Sequence, residues 1–287
     1  SILVDSDNDN VKPLPNLDFN FMIGNSLVDE FEGMKLFDES LLNLDEFSEE
    51  GSLEQKRLIK QHKLIQDTLF KTSEERKQEL KLEIESLENR LIEVTLLANG
   101  NEKKLEEIKK GRKERRKPYF LWKLEFAKVF KENGGFDIVI GNPPYVRYEK
   151  FKEQKELYQR NYKCFAPSVD LYILFFELGY NLLKKDGNLV FITSNKWLKT
   201  KYGKEFRKFI LEKNKIILLI DLGSNVFETA SVDTSILSIE KTPCLDYTFL
   251  VSTEIGKTSE ISIRNFNSDL FFILPNKLHK IKLKMET

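Results

Sequence analysis

The sequence predicts an α/β protein with a mostly parallel sheet, helices on both faces, and a long α-helical insert with coiled-coil spacing. From residue 136 onward, strand-like and helix-like segments alternate, which is typical of a parallel sheet covered by helices. Between residues 48 and 117, Leu and Ile recur at helical spacing in a background of Glu, Lys and Gln. The predicted domains are therefore residues 1–47, 48–117 and 118–287.

Composition limits the classes of protein that the chain can represent. Its 287 residues carry 46 Lys+Arg and 46 Asp+Glu, which excludes a uniformly basic nucleic-acid-binding domain but allows local basic patches. Only Cys164 and Cys244 occur, so a disulfide framework is excluded and a reducing compartment is expected. His62 and His279 are far apart and neither is near a cysteine, so no metal site is expected.

The distribution of apolar residues predicts a soluble cytoplasmic protein. The first ten residues are acidic and lack an apolar centre, unlike a signal peptide. The most continuous apolar runs, such as residues 216–220, are much shorter than a membrane span. We therefore expect no membrane partner.

The insert over residues 48–117 is predicted to be a helical hairpin. Its seam follows alternating steps of four and three residues, which is heptad spacing: Leu80, Ile84, Leu87, Leu91, Val94 and Ala98. Asn99-Gly100-Asn101 then fits a helix end, and a charged helix is expected from residue 102 to about 116. Because the seam is short, a hairpin or spacer is favoured over an intermolecular coiled coil.

The remaining elements are predicted in chain order from apolar pattern and turn residues. The expected strands are residues 136–141, 189–193, 216–222 and 234–239, and the expected helices are 169–183 and 204–213. In parallel sheets of this kind, sites lie at the carboxyl ends of the strands. The segment after the first of these strands is therefore of most interest.

That segment is Asn142-Pro143-Pro144-Tyr145. Consecutive prolines stiffen the backbone and remove two donors, and they bias the residues before them toward extended geometry. The Asn142 side-chain carbonyl and the Pro143 backbone carbonyl are then acceptors beside the Tyr145 ring. Such a set suits a planar group that bears an NH₂, although a stiffened strand-to-loop turn without chemistry has the same pattern.

Residues 135–147, which contain this tetrapeptide, resemble the catalytic motif of adenine-specific N6 DNA methyltransferases, especially those of fused type II restriction-modification enzymes. The resemblance continues, in the same order, over residues 14–20, 23–27, 168–172, 187–197 and 226–236. It implies a Rossmann-like methyltransferase sheet, with residues 118–287 as the catalytic core and 1–47 as the start of the methyltransferase part. The implied cofactor is S-adenosylmethionine, and the implied partner is double-stranded DNA.

The resemblance also implies a mechanism and a set of roles. A flipped adenine would donate its amino hydrogens to Asn142 and to the Pro143 carbonyl, with Pro144 stiffening the loop and Tyr145 stacking on the base. Methyl transfer would be direct, so catalysis would consist mostly of positioning and electrostatics. Phe227 resembles a second aromatic contact to the base, or is a core residue. Asn25 resembles a contact to the cofactor's adenine, or is a turn residue.

Other parts of the resemblance are weaker or missing. Asp170 is either a site residue or the cap of the helix that begins near Leu171. The family's Gly-rich cofactor loop is not found before Asn16, because the first glycine is Gly24. A target-recognition domain is not found either. We therefore expect a fragment that binds S-adenosylmethionine weakly, is inactive alone, and requires an upstream cofactor-binding segment as partner.

Two basic runs could contact DNA. The block over residues 103–117 is interleaved with glutamates, so a solvated helical face is favoured there. A second group follows Asn195 and is better placed to meet a DNA backbone: Lys196, Lys199, Lys201, Lys204 and Arg207.

Two alternative functions stay open from the residues alone. A protein glutamine methyltransferase could hold a carboxamide NH₂ with the same tetrapeptide. A non-catalytic interaction fragment could be built around the helical insert. No acidic–Lys cluster of the nuclease type is apparent, so a fused nuclease is not predicted.

Overall fold

The computed structural model describes residues 22–31, 33–42, 51–69, 72, 74–113, 117–223, 232–269 and 271. Contacts within the chain divide it into two compact units, Ser1–Glu125 and Phe126–Thr287. The sequence placed the corresponding boundary between residues 117 and 118. The difference arises because the segment from Lys117 to Glu125 packs against the insert helices: Gln66 Nε2 donates to the carbonyl oxygen of Glu125 at 2.6 Å.

The described part of the first unit is mostly helical. Its helices are α1 (Leu53–Leu69), α2 (Glu74–Ala98), α3 (Glu102–Lys113) and α4 (Trp122–Glu125). A two-residue antiparallel pair, β1 (Glu30–Phe31) and β2 (Met34–Lys35), and a 3₁₀ turn at Glu39–Leu42 precede them.

Local sequence signals explain where these helices begin and end. Ser52 Oγ accepts from the Gln55 N–H at 3.1 Å and Gln55 Oε1 accepts from the Ser52 N–H at 2.9 Å, a capping box at the start of α1. After α2, Gly100 takes a φ of 66°, which only glycine adopts at little cost. The predicted break at residues 99–101 therefore lies where the structure ends the helix.

Helices α1 and α2 pack as an antiparallel hairpin. Gln55, near the start of α1, donates to Thr95, near the end of α2, at 3.1 Å. The buried face of α2 only partly follows the predicted heptad seam. Leu80 and Leu91 are buried as expected, but Ile92, Thr95 and Leu96 are buried as well, which are off-seam positions. A broader stripe fits a helix covered by more than one neighbour.

Ionizable groups are buried where Lys117 meets α2. Lys117 Nζ lies 3.0 Å from Glu88 Oε2 and 3.3 Å from Glu125 Oε1, so one ammonium serves two carboxylates. Burial raises the pKa of Glu88 to about 7, against the lowering effect of Lys117, while Glu125 raises it further. His62 is buried, and its ring nitrogens have no hydrogen-bond partner among the described residues. Burial lowers the pKa of His62 to about 4.

These shifts predict a pH-dependent stability for the first unit. The folded pKa of Glu88 lies above its ordinary value of 4.5, so its contribution is complete below pH 4.5 and is lost as pH rises through about 7. Replacing Glu88 with Gln removes this titration. Relative to the native chain, the variant should therefore gain about 2 kcal/mol of unfolding free energy between about pH 5 and pH 8.

Urea unfolding followed by helical circular dichroism across that pH range measures this difference. Glu85→Gln is the matched control, because Glu85 is exposed on the same helix. A Glu88→Gln curve that runs parallel to the native one at every pH would contradict the assignment. His62 acts in the opposite direction: its contribution is complete above pH 6.5 and is lost as pH falls through about 4.

The second unit contains a six-stranded sheet. Its strands are β3 (Phe136–Gly141), β4 (Leu183–Ser194), β5 (Lys215–Gly223), β6 (Thr234–Glu240), β7 (Thr248–Ser252) and β8 (Ser259–Ser262). The helices are α5 (Ala127–Asn133), α6 (Lys155–Asn161), α7 (Leu171–Leu182) and α8 (Lys204–Lys213), with 3₁₀ turns at Tyr148–Lys150, Lys152–Gln154, Asn195–Leu198 and Ile263–Asn265.

The order of strands is β3-β4-β6-β5-β7-β8. Strands β3, β4, β5 and β7 run in one direction, and β6 and β8 run against them. The predicted α/β class is confirmed, and the sheet is mixed because β6 inserts antiparallel between β4 and β5. Strands β7 and β8 were not predicted, since both are short.

Helices α7 and α8 cover one face of this sheet with aromatic side chains. Phe176 of α7 lies between Phe191 of β4 and Phe206 of α8, with ring centroids 5.7 and 4.7 Å apart. Gly179 allows the close approach, because a Cβ there would lie 2.6 Å from Leu189 Cδ1. On the opposite face, Ile138 and Ile140 are 59% and 77% exposed.

The described residues contain neither a membrane-spanning helix nor a metal-binding cluster. No helix among them is both long enough and apolar enough to cross a membrane. No group of three His, Cys, Asp or Glu side chains among them is arranged to hold a metal ion.

Candidate functional site

The Asn-Pro-Pro-Tyr segment continues directly from β3 at the carboxyl edge of the sheet. Strand β4 is its parallel neighbour, with Gly141 paired to Phe191. Pro143 is buried and Asn142 is exposed. Neither the Asn142 amide nor the Pro143 carbonyl makes a hydrogen bond to another described residue. Neither acceptor is therefore used within the described part of the chain, and their role toward a ligand stays a prediction.

Tyr145 is half-buried beside the start of α7. Its ring meets the Tyr172 ring edge-on, with centroids 6.2 Å apart. The Tyr145 hydroxyl is buried and has no hydrogen-bond partner among the described residues. Burial raises its pKa, so the phenol is neutral at physiological pH. The backbone after it is fixed, since the Leu171 N–H donates to the Val146 carbonyl at 2.9 Å.

Asp170 does not act as a side-chain cap for α7. Its carboxylate instead accepts from the Tyr202 hydroxyl at 2.8 Å. Burial is the main cause that raises the pKa of Tyr202, to about 12, and it raises the pKa of Tyr172 well above the usual range. Tyr172 therefore meets the Tyr145 ring, and the Tyr202–Asp170 hydrogen bond joins the loop after β4 to the start of α7. The sequence suggested Asp170 as a site residue but did not predict that Tyr172 and Tyr202 lie beside it.

Polar side chains at the next strand ends also meet at this edge. Asn195, just after β4, donates from Nδ2 to Asp221 Oδ1 of β5 at 2.8 Å. The Asn195 N–H donates to the Asp233 carbonyl at 2.9 Å, just before β6. Asp221 was not predicted from the sequence as a site residue. Its position at the end of an apolar strand was the available signal.

The structure corrects part of the second basic run. Arg207 is only 1% exposed and donates to the carbonyl oxygens of Trp197, Thr200, Ser268 and Asp269. It therefore holds two loops together and does not face a partner. Lys204 pairs with Asp269 Oδ1 at 2.6 Å. Lys196, Lys199 and Lys201 are exposed and stay candidates for DNA contact.

Asn25 lies in the first unit, in a turn that its own side chain and carbonyl stabilise. Its Oδ1 accepts from the Leu27 N–H at 3.3 Å, and its carbonyl accepts from the Val28 N–H at 3.1 Å. Its N–H donates to the Lys117 carbonyl at 3.2 Å. The Nδ2 group makes no hydrogen bond to another described residue, so it remains able to donate to a ligand.

The other predicted residues either form contacts within the chain or lie outside the described part. Phe227 and residues 114–116 lie outside the described residues. In the basic block, Lys109 pairs with Glu93 at 3.2 Å and Lys117 pairs with Glu88. Arg112 donates to the Tyr119 hydroxyl at 3.1 Å. These side chains are engaged within the chain, and Lys117 in particular lies in a buried cluster; the favoured interpretation of the block as a solvated helical face stays a prediction.

The loop between the motif and α7 is held by a buried carboxylate. Glu177 accepts from the Lys163 N–H at 2.9 Å and from the Cys164 N–H at 2.8 Å. Burial raises the pKa of the Cys164 thiol well above its usual range, and the nearby Glu177 carboxylate raises it further. Cys164 is therefore an inert core residue and not a nucleophile.

Comparison with known proteins adds a family match. A family model described as Eco57I restriction-modification methylase matches residues 42–227, more than half of the chain. The chain is 35% identical over 105 residues to the type II methyltransferase M.BstVI of Geobacillus stearothermophilus, covering 36% of this chain and 18% of that protein. It is 34% identical over 181 residues to RM.MjaORFECS2P of Methanocaldococcus jannaschii, a putative type II restriction enzyme and methyltransferase, covering 60% and 15%.

Among solved structures, the type IIL restriction-modification enzyme MmeI in complex with DNA is similar, with 18% sequence identity and a TM-score of 0.37. The match covers 46% of this chain and 19% of that one. The chain thus spans less than a fifth of the two curated relatives named above.

Proposed function

The chain belongs to the Eco57I restriction-modification methylase family, and we propose that it carries the adenine-binding site of an S-adenosylmethionine-dependent DNA N6-methyltransferase. The observation that carries the proposal is the pair of unoccupied acceptors at the end of β3. Asn142 and the Pro143 carbonyl are held by two prolines beside a half-buried tyrosine.

The proposed chemistry follows from these acceptors. An exocyclic amino group has two hydrogens, and the two acceptors match them while Tyr145 stacks on the base. Hydrogen bonds from both hydrogens orient the nitrogen lone pair away from the ring plane. They also stabilise the positive charge that develops on the nitrogen as it is alkylated. The base has to leave the duplex to reach this edge.

S-adenosylmethionine would supply an electrophilic methyl group. Of the described residues, Asn25 fits a contact to its adenine, because Nδ2 is able to donate. Phe227 is proposed as the second aromatic contact to the target base. Pro144 acts only through the backbone. Its ring stiffens the segment, so the Pro143 carbonyl does not rotate to accept a local hydrogen bond.

Cofactor affinity provides one expected result. No strand among the described residues is followed by a Gly-rich loop, and such loops supply backbone donors to nucleotide-like ligands. We expect isothermal titration calorimetry of the 287-residue chain with S-adenosylmethionine to show weak binding or none. Micromolar binding would contradict this expectation.

Transfer of a radiolabelled methyl group tests the proposed function. The protein is offered duplex DNA and, separately, a protein substrate, and the labelled product is identified as a nucleoside or an amino acid. N6-methyladenine is the expected product. Label on protein glutamine would contradict the proposal and support a protein glutamine methyltransferase instead. Folded protein that transfers no label to either substrate, even at a high concentration of S-adenosylmethionine, would favour the non-catalytic interaction fragment.

A further inference from the structure

We propose that Lys196, Lys199 and Lys201 form a phosphate-binding surface for duplex DNA beside the Asn-Pro-Pro-Tyr segment. The inference rests on the proposed function, since it names the surface by which the same site would hold its nucleic-acid partner. The three lysines are called here the loop lysines.

The loop lysines lie at the same edge of the sheet as the candidate site. Residues 195–203 follow β4, and the Asn-Pro-Pro-Tyr segment follows the parallel neighbour β3. The loop is also joined to the site by side chains. The Tyr202 hydroxyl donates to Asp170 at 2.8 Å, and Tyr172, two residues further on, meets the Tyr145 ring. A DNA strand with a base at Tyr145 therefore has its backbone near this loop.

The loop is fixed before any ligand arrives. Trp197 and Leu198 are buried, and the Trp197 Nε1–H donates to Ser235 Oγ at 3.1 Å. Arg207 of α8 donates to the Trp197 and Thr200 carbonyls. Gly203 permits this packing, because a Cβ there would lie 2.3 Å from the Trp197 carbonyl oxygen. Because the backbone is already ordered, binding has to order only the lysine side chains.

The charge of the loop lysines is not neutralised within the described part of the chain. All three are exposed, and none has an acidic partner among the described residues. The next lysine differs, since Lys204 is paired with Asp269. Three unpaired ammonium groups on a rigid loop are suited to an extended line of phosphates. Each phosphate that they neutralise releases counterions, which makes binding depend on salt.

Fluorescence anisotropy of a labelled DNA duplex with the full chain tests the proposal. The variant carries Lys196→Gln, Lys199→Gln and Lys201→Gln, and affinity is measured from about 50 to 200 mM salt. The plot of log affinity against log salt should become shallower by about 2–3, and affinity near 0.1 M salt should fall on the order of 10²-fold.

The matched control carries Lys131→Gln, Lys185→Gln and Lys213→Gln. These lysines are also exposed, and they lie near the starts of β3, β4 and β5, at the opposite edge of the same sheet. The control changes net charge by the same amount and should leave the slope within experimental error. Equal effects of the two variants, an unchanged slope in the loop variant, or no binding by the native chain would each overturn the proposal.

The outcome is separable from that of the proposed function. If the native protein forms no N6-methyladenine, even at a high concentration of S-adenosylmethionine, but the loop variant shows the shallower salt slope, the function fails and the surface stands. If N6-methyladenine forms and the two lysine variants bind DNA alike, the surface fails and the function stands.

Discussion

Replacing Asn142 with Ala is expected to lower the turnover of DNA methylation by on the order of 10²–10³-fold. The variant loses one of the two acceptors for the amino hydrogens, so the nitrogen lone pair is no longer held toward the methyl donor. Folding should be unchanged, since the Asn142 side chain is exposed and makes no hydrogen bond to another described residue.

Methylation kinetics with radiolabelled S-adenosylmethionine and duplex DNA provide the measurement, in a preparation whose native form methylates DNA. Asn133→Ala is the matched control, because Asn133 is an exposed asparagine before β3, at the opposite edge of the sheet. A decrease in turnover of less than tenfold in the Asn142 variant would show that Asn142 does not contribute to methyl transfer as proposed.

Tyr145 variants separate stacking from hydrogen bonding at the same site. Tyr145→Phe keeps the ring and removes a hydroxyl that has no partner among the described residues, so turnover should change little. Tyr145→Ala removes the stacking surface and should lower activity strongly. Equal losses in both variants would indicate that the hydroxyl contributes.

Replacing Arg207 with Met is expected to destabilise the second unit by about 3–5 kcal/mol. The guanidinium donates to four backbone carbonyls in two loops, and Met leaves those carbonyls without donors. Trp197 lies against this arrangement and is completely buried. Urea unfolding followed by tryptophan fluorescence therefore measures the change.

Two further variants make the Arg207 result specific. Lys204→Met removes the exposed ion pair between the same helix and Asp269, and should cost at most about 1 kcal/mol. Arg207→Lys keeps the charge but not the fork of donors, so its stability should lie between those of the native chain and the Met variant. An Arg207→Met cost below about 1 kcal/mol would show that water replaces the guanidinium at these carbonyls.

The candidate site was visible in the sequence to an unusual degree because its main residues are consecutive. The Asn-Pro-Pro-Tyr segment carries its acceptors, its stiffness and its ring within four positions. The residues that support it come from elsewhere. Tyr172 and Tyr202 are 30 positions apart in the chain, and either one alone reads as a core or loop aromatic.

Arg207 shows the same limit in the opposite direction. In the sequence it belongs to a basic run, and only its burial beneath residues 197–200 shows that it is a structural donor. Net charge along the chain does not distinguish a solvated cation from one that satisfies backbone carbonyls. The distinction depends on which side of α8 meets the neighbouring loops, and that is set by packing.

The sequence by itself determined the elements with a strong local period or a specific ending. Strand β3 and helix α8 have the predicted bounds, and α2 ends where Asn99 and Gly100 require it. These features depend on side-chain spacing, capping and backbone preference, all of which act over a few residues.

Tertiary structure alone decided the features that depend on pairing between distant segments. The antiparallel insertion of β6 between β4 and β5, the sharing of Lys117 by Glu88 and Glu125, and the joining of Asn195 to Asp221 are all of this kind. The physical reason is that strand order, burial of charge and hydrogen bonding between strand ends are set by the free energy of contacts between distant segments. The local pattern of one segment does not specify which other segment it will contact.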